Sequence, residues 1–187
     1  MRSLDTLEIR IPVLQTERLR LRAFCEEDTD PLFEMMQDPD VVRFIGDRRS
    51  PTHQETWRAI AGYIGHWALR GYGLWAVEEL GSGELVGRIG ILNPPGWPGP
   101  EIAYTIGKRW WGRGLATEGA RAARDWAFET LPVDELISLI DPANTASIAV
   151  ATRLGETLTG DFDLWGNRVL IYAVTREAWE RERGTEG

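Results

Sequence analysis

Between residues 101 and 140 the chain passes through a short apolar strand, a turn carrying Gly112 and Gly114, a helix and a second apolar strand. No other feature constrains the fold as much. Residues 101–106 read as the first strand and 136–140 as the second, which stops at Asp141-Pro142. The helix over 115–128 places Leu115, Ala122, Ala123, Trp126 and Ala127 on one side. Two strands joined through a helix lie parallel and cross over right-handedly, so a sheet with at least one parallel pair is required.

The flanking segments extend that sheet in the antiparallel sense. Leu19 and Leu21 alternate with arginines over 16–22, the period of a half-buried strand. Residues 28–36 and 54–69 carry apolar stripes at helical spacing, the second built from Trp57, Ile60, Ala61, Ile64, Trp67 and Ala68. Strands over 74–79 and 85–92 face each other across Gly81-Ser82-Gly83. The prolines of 93–100 exclude regular structure there, because they fix φ and remove donors. A helix starts at Asn144 and ends at Leu154-Gly155, a hairpin turns at Trp165-Gly166-Asn167 within 157–174, and a charged helix follows over 175–183 around Trp179. The expected fold is mixed α/β. It has a twisted, mostly antiparallel central sheet of about seven strands, one parallel central pair, and helices on both faces. With no repeat and no long linker, 1–187 is expected to form one domain, with 1–14 as an N-terminal extension and 176–187 as a terminal helix and tail.

Composition narrows the function. At 43% apolar the chain can build a core, and a net charge of −8 argues against a nucleic-acid footprint. No apolar run approaches the ~20 residues that span a bilayer. Asp5, Glu8 and Glu17 leave no room for a secretory signal, so a cytoplasmic location is expected, with no membrane partner. Cys25 stands alone and His53 and His66 are not spaced as ligands, so no metal site is expected. The acidic balance favours a cationic or amine-bearing partner.

The chemistry concentrates in the turn from Arg109 to Gly114. Gly112 and Gly114 permit backbone angles that other residues resist and let a ligand approach closely. The helix that follows presents amides without internal partners and a dipole that favours negative charge. Strand, glycine turn and helix start together form an anion cradle, to which Arg109 and Arg113 add charge-assisted contacts. A phosphate loop would need Gly-Lys-Ser/Thr where Gly114-Leu115-Ala116 stands, and a dinucleotide fingerprint would need glycine at Thr117. A helix start that binds nothing remains open on the glycines alone.

The string Arg109-Trp110-Trp111-Gly112-Arg113-Gly114 resembles the Gln/Arg-x-x-Gly-x-Gly/Ala signature of the GNAT superfamily of N-acetyltransferases. The 101–106 strand, the continuation Leu115-Ala116-Thr117-Glu118, Thr16-Glu17-Arg18-Leu19 and 174–179 resemble the branch that acetylates ribosomal-protein N-termini, colinearly along nearly the whole chain. The resemblance implies that acetyl-coenzyme A is the cosubstrate. It also implies that the turn amides bind its pyrophosphate, with contacts from Thr105, Ile106, Arg109, Trp111, Gly112, Arg113, Gly114, Ala116 and Thr117. It further implies that the 101–106 strand bulges and splays from the 136–140 strand, leaving a slot for the pantetheine, and it is compatible with a homodimer.

A second motif, Asn144-Thr145-Ala146-Ser147 with Arg153-Leu154-Gly155, resembles the family's second coenzyme-facing helix. There the asparagine contacts the pantetheine arm, the serine lies near the sulfur, and Arg153 would reach a phosphate. Without the resemblance, Asn144 reads as an N-cap, Ser147 as a first-turn residue and Arg153 as a surface arginine. The sequence departs from the family at Ala151, where many members carry the tyrosine that protonates the leaving thiolate, and at Glu156, where phenylalanine is common. Ser147 is then the candidate acid.

The reaction implied is direct attack of a neutral amine on the thioester in a ternary complex, helped by positioning and by a backbone amide of the 101–106 strand. An unperturbed amine is largely protonated at neutral pH, so a base is needed. Glu101 is the first candidate and Asp163 the second, each competing with a plain role as a solvated strand-end carboxylate. Tyr104 falls on the opposite side of an ideal strand from Glu101 and is expected in the core unless a bulge intervenes. Trp97 and Trp75 are candidates for the acceptor pocket, with a core role for Trp75 equally open. The reading is therefore an acetyl-coenzyme A dependent N-acetyltransferase acting on a peptide N-terminus or a small amine. The alternatives are a non-catalytic acyl-coenzyme A sensing module and a purely structural dimerising domain.

Overall fold

The computed structural model describes residues 8–185. In chain order its elements are β1 (Leu14–Gln15), β2 (Leu19–Arg22), a 3-10 turn (Glu26–Asp28), α1 (Thr29–Met36), α2 (Pro39–Val42) and α3 (His53–Arg70). Then come β3 (Leu74–Glu79), β4 (Leu85–Leu92), β5 (Glu101–Ile106), a 3-10 turn (Lys108–Trp110) and α4 (Leu115–Thr130). The chain closes with β6 (Glu135–Ile140), α5 (Thr145–Arg153), β7 (Thr157–Leu164), β8 (Asn167–Thr175) and α6 (Arg176–Thr185).

The strands form one open eight-stranded sheet in the order β1-β2-β3-β4-β5-β6-β8-β7. Every pairing is antiparallel except β5 with β6. The expected mixed sheet with one parallel central pair is present. The strand beyond the expected seven is β1, two residues with no legible alternation, formed because the chain folds back on β2. Residues 1–7 of the expected N-terminal extension, with Asp5, lie outside the described residues, as do 186–187 of the tail. The rest of the extension is docked, since the Pro12 carbonyl accepts from Trp75 Nε1 at 2.8 Å.

Alternation on β3 shows how both faces are covered. Trp75 and Val77 enter the larger core with Leu115, Ala123, Ala127 and Phe128 of α4. Leu74 and Ala76 enter the smaller core with Leu32 of α1 and Ile60 of α3. Trp75 is fully buried in a mutual contact of three rings with Trp67 and Trp126, at centroid distances of 4.8, 5.5 and 5.0 Å. It therefore packs the core rather than the acceptor side. On α4 the buried stripe also takes in Gly119, Ala120 and Arg124. A Cβ at Gly119 would come within 2.5 Å of Ile89 Cδ1, so the glycine lets α4 sit close on β4.

The parallel pair positions the site. β5 and β6 are paired only at Glu101↔Ile137, where Ile137 N–H donates to the Pro100 carbonyl at 2.9 Å. Beyond that point the strands diverge. β5 holds unbroken register with β4 from Leu92↔Glu101 to Gly87↔Ile106. The bulge implied by the resemblance is thus absent from this pairing, and the gap opens on the β6 side alone.

Candidate functional site

A cleft of about 1830 Å³ follows the gap between β5 and β6 and runs onto the first turn of α4. Gly112 and Gly114 both lie in the left-handed region, at φ 73° and 77°. Nothing stands within 4 Å of a Cβ built on Gly112, so the space over the turn is open. Gly114 is the N-cap of α4 and has no side chain to occupy the free amides that follow. Trp111 Nε1 donates to the Ile106 carbonyl at 2.6 Å, which fixes the turn to the end of β5. These features fit a pyrophosphate: backbone donors, a helix dipole and no side chain in the way.

The turn's arginines divide. Arg113 lines the cleft, its guanidinium carbon 4.7 Å from the Trp110 ring centroid. Arg109 does not line it; it pairs with Glu84 at 2.9 Å on the surface. Arg153 lines the cleft from α5, and so does Arg121, which donates to the Arg153 carbonyl at 3.1 Å. Sequence reasoning missed Arg121, although it stands four residues after Thr117 and therefore on the same helix face. Thr105, Ile106, Ala116 and Thr117 all line the cleft.

α5 closes the other wall. Asn144 caps it, Oδ1 accepting from the Ser147 N–H at 3.2 Å, and both residues line the cleft. Ala151, at the position where many family members carry tyrosine, is fully buried. A tyrosine is nevertheless present at this wall. Tyr104 stays on the face opposite Glu101, as unbroken register requires, and its hydroxyl donates across the gap to the Ser147 carbonyl at 3.0 Å. Burial holds its phenol well above the usual range, with the nearby carboxylates Glu156 and Glu101 adding to the shift.

Glu101 sits where the strands part. Its Oε2 accepts from Trp97 Nε1 at 2.6 Å, and the Leu139 backbone N–H donates to the same carboxylate. Burial pushes its carboxyl up, while the two donors and the Arg88 charge oppose the shift. Trp97 in turn meets Trp165 edge-on, with centroids 5.4 Å apart, and both rings line the cleft. Asp163 lies outside the cleft lining; its Oδ1 holds the Gly166 N–H at 2.8 Å in the β7–β8 turn. Behind the gap, Ser138 Oγ donates to Glu156 Oε1 at 3.0 Å. Among the described residues no group of three or more His, Cys, Asp or Glu side chains could hold a metal ion, and no helix is long and apolar enough to cross a membrane.

The comparisons with known proteins agree with this geometry. A family model described as an acetyltransferase (GNAT) domain matches residues 18–157. YkkB of Bacillus subtilis (strain 168) is 33% identical over 167 residues, covering 85% of this chain and 93% of that protein. The crystal structure of an acetyltransferase from Agrobacterium tumefaciens str. C58 is also 33% identical, with a TM-score of 0.79 over 91% of this chain and 98% of that one. RimL, a ribosomal L7/L12 alpha-N-protein acetyltransferase in complex with coenzyme A, shares the fold at a TM-score of 0.75 and 21% identity, over 89% of this chain and 99% of that one. Matched by its family model, by a sequence relative and by superposition over nine-tenths of its length, the chain belongs to the GNAT acetyltransferase family.

Proposed function

We propose that the protein transfers the acetyl group of acetyl-coenzyme A to a primary amine, by direct attack within a ternary complex. The observation that carries this reading is the divergence of β5 from β6 just after Glu101↔Ile137, which opens a cleft that also takes in the amides of the Gly112–Gly114 turn. An unpaired strand edge leaves backbone donors and acceptors that need partners, and an extended chain of amides such as pantetheine supplies them.

On this reading the amides of 112–117 take the pyrophosphate, with Arg113, Arg121 and Arg153 offsetting its charge. A free N–H of β5 polarises the thioester carbonyl, whose oxygen gains negative charge as the amine adds. Glu101 removes the proton from the attacking nitrogen, a role that suits a carboxyl whose burial raises its basicity above the ordinary carboxylate range. The C–N bond forms, the C–S bond breaks, and the Ser147 hydroxyl gives the thiolate a proton, which solvent restores. Tyr104, hydrogen-bonded at the same turn and holding its own proton firmly, orients that turn.

Release of free thiol from acetyl-coenzyme A, measured against amines, amino acids, antibiotics and N-terminal peptides with mass spectrometry of the products, tests the reading. Amine-dependent thiol release with an acetylated product is expected. Calorimetric binding of coenzyme A with no turnover on any acceptor would favour the sensing module instead. Absence of binding and of a thermal shift would leave the structural domain, because a ligand held only by the native state must stabilise it.

A further inference from the structure

Arg88 interrupts the apolar strand β4 and lies on the same face as Glu101, among residues that line the cleft. Among the described residues its only hydrogen bond is from Nη1 to the Tyr63 hydroxyl, and its guanidinium carbon lies 5.1 Å from the Tyr63 ring centroid. Among the described residues no carboxylate stands within ion-pair distance of it, in a chain with 29 acidic residues against 21 basic ones. By contrast Arg22, also half-buried, is paired with both Asp28 and Glu78. Arg88 also borders a second cavity of about 180 Å³, lined by Leu32, Met36 and Tyr63 together with Asp47, Arg49 and Glu55. Burial pulls its pKa down to about 10, and only the charge of Glu101 along the cleft opposes that shift.

The floor between Arg88 and Glu101 is nearly bare. Across the β4–β5 pair, Arg88 faces Thr105, Gly90 faces Ala103 and Leu92 faces Glu101. The two charged residues are thus four positions apart, about 13 Å at ~3.3 Å per residue. Between them Ala103 lines the cleft, while the space beside Gly90 is taken by the backbone of Gly73 and Leu74. The Trp97–Trp165 pair stands over the Glu101 end. A slot with a cation at one end, a carboxylate at the other and the small Ala103 side chain between them fits a molecule that carries the opposite charges in the opposite order.

We infer that the acceptor is a small amino carboxylate, its carboxylate held by the free N–H groups of Arg88 and its amino group presented to Glu101 beneath Trp97 and Trp165. This inference rests on the acetyltransferase reading above and names its substrate class. A charge-assisted bond to the acceptor, worth about 1.5–3 kcal/mol, corresponds to a preference of roughly 10- to 150-fold.

The test compares each acceptor with its own carboxamide. α-Amino acids, including phenylalanine and tryptophan, and ω-amino acids of increasing length are assayed beside their amides for kcat/KM with acetyl-coenzyme A. The wild type is expected to prefer the acid by at least tenfold for one chain length. In Arg88→Met that ratio falls to near one through a higher KM, and Arg88→Lys restores part of it; coenzyme A binding by calorimetry verifies that each variant is folded. Equal turnover of acid and amide by the wild type overturns the inference, as does an acid-to-amide ratio unchanged in Arg88→Met. Peptide N-termini turned over ahead of every amino carboxylate overturn it too, while leaving an acetyltransferase. Thiol release with no amine at all, despite coenzyme binding, overturns the acetyltransferase reading itself and this inference with it.

Discussion

Arg18 grips Glu118 through Nε at 2.7 Å and, from the same guanidinium, holds the Arg113 carbonyl at 2.8 Å. Thr16 Oγ1 and the Arg18 N–H both donate to the other oxygen of Glu118, at 2.6 and 2.9 Å. The segment before β2 is thereby tied to the first turn of α4 and to the middle of the glycine turn. These bonds explain physically why Thr16-Glu17-Arg18-Leu19 and Ala116-Thr117-Glu118 occur together in one sequence.

Arg18→Ala removes the brace and leaves Glu118 with neutral donors only. Its first effect is expected on the turn rather than on the core. Coenzyme A affinity should weaken about tenfold, equivalent to ~1.4 kcal/mol. The melting temperature should fall by about 2–4 °C, as a loss of ~1 kcal/mol gives for a domain of this size. Calorimetry and thermal melts measure the two separately, and a loss of stability with unchanged coenzyme affinity would show that the brace serves only the fold.

At Gly112 the backbone and the cradle make separable demands. Its φ of 73° costs any L residue about 1–2 kcal/mol, whereas a Cβ there meets nothing within 4 Å. Gly112→Ala and Gly112→Trp should therefore lower stability by similar amounts. Only the tryptophan fills the space over the α4 amides, so it should abolish measurable coenzyme A binding while alanine weakens it modestly. Retained micromolar affinity in Gly112→Trp would remove the cradle from the model.

The elements from 74 to 140 were legible because their apolar patterns are sharp and glycines and prolines punctuate them. What sequence could not resolve came from burial on both sheet faces. Nothing in the strand over 85–92 singles out Arg88, whose place beside a cavity depends on α1 and α3 covering that face of the sheet. Likewise the short α2 was not legible in the sequence; it forms because the Asp38 carboxylate caps a new turn by accepting from the Asp40 N–H at 2.9 Å. The turn and the Asn144 cap could be named from residue types, whereas the Tyr104 contact with α5 depends on the divergence of two strands, which no local pattern encodes.

Glu101 predicts a pH dependence. A general base must be deprotonated, and burial raises this carboxyl above the ordinary value of 4.5, so the acid limb of kcat/KM should lie above that pH. Glu101→Gln is expected to lower turnover by roughly 10²–10⁴, the usual contribution of a general base. The loss should be greatest at low pH, where little of the amine is free, and the remaining profile should follow the pKa of the acceptor. Kinetics unchanged across pH would pass the role to solvent or to Asp163.

Glu156 predicts the opposite trend, in stability. It is 3% exposed, Ser138 donates to one oxygen at 3.0 Å, and Oε2 has no partner among the described residues. Burial pushes its carboxyl up to about 8, against the pull of Ser138 and Arg124. Between the unfolded value near 4.5 and that folded value, the native state keeps a proton that the unfolded chain has released. Stability from this group is therefore complete below pH 4.5 and is lost as pH rises towards 8. Glu156→Gln keeps the shape and cannot ionise. It should melt with the wild type near pH 5 and about 5 °C or more above it at pH 8.5, since one pKa unit is ~1.4 kcal/mol and ~1 kcal/mol moves the midpoint by about 2–4 °C. Parallel melting curves across that range would show that the buried proton is not held at Glu156.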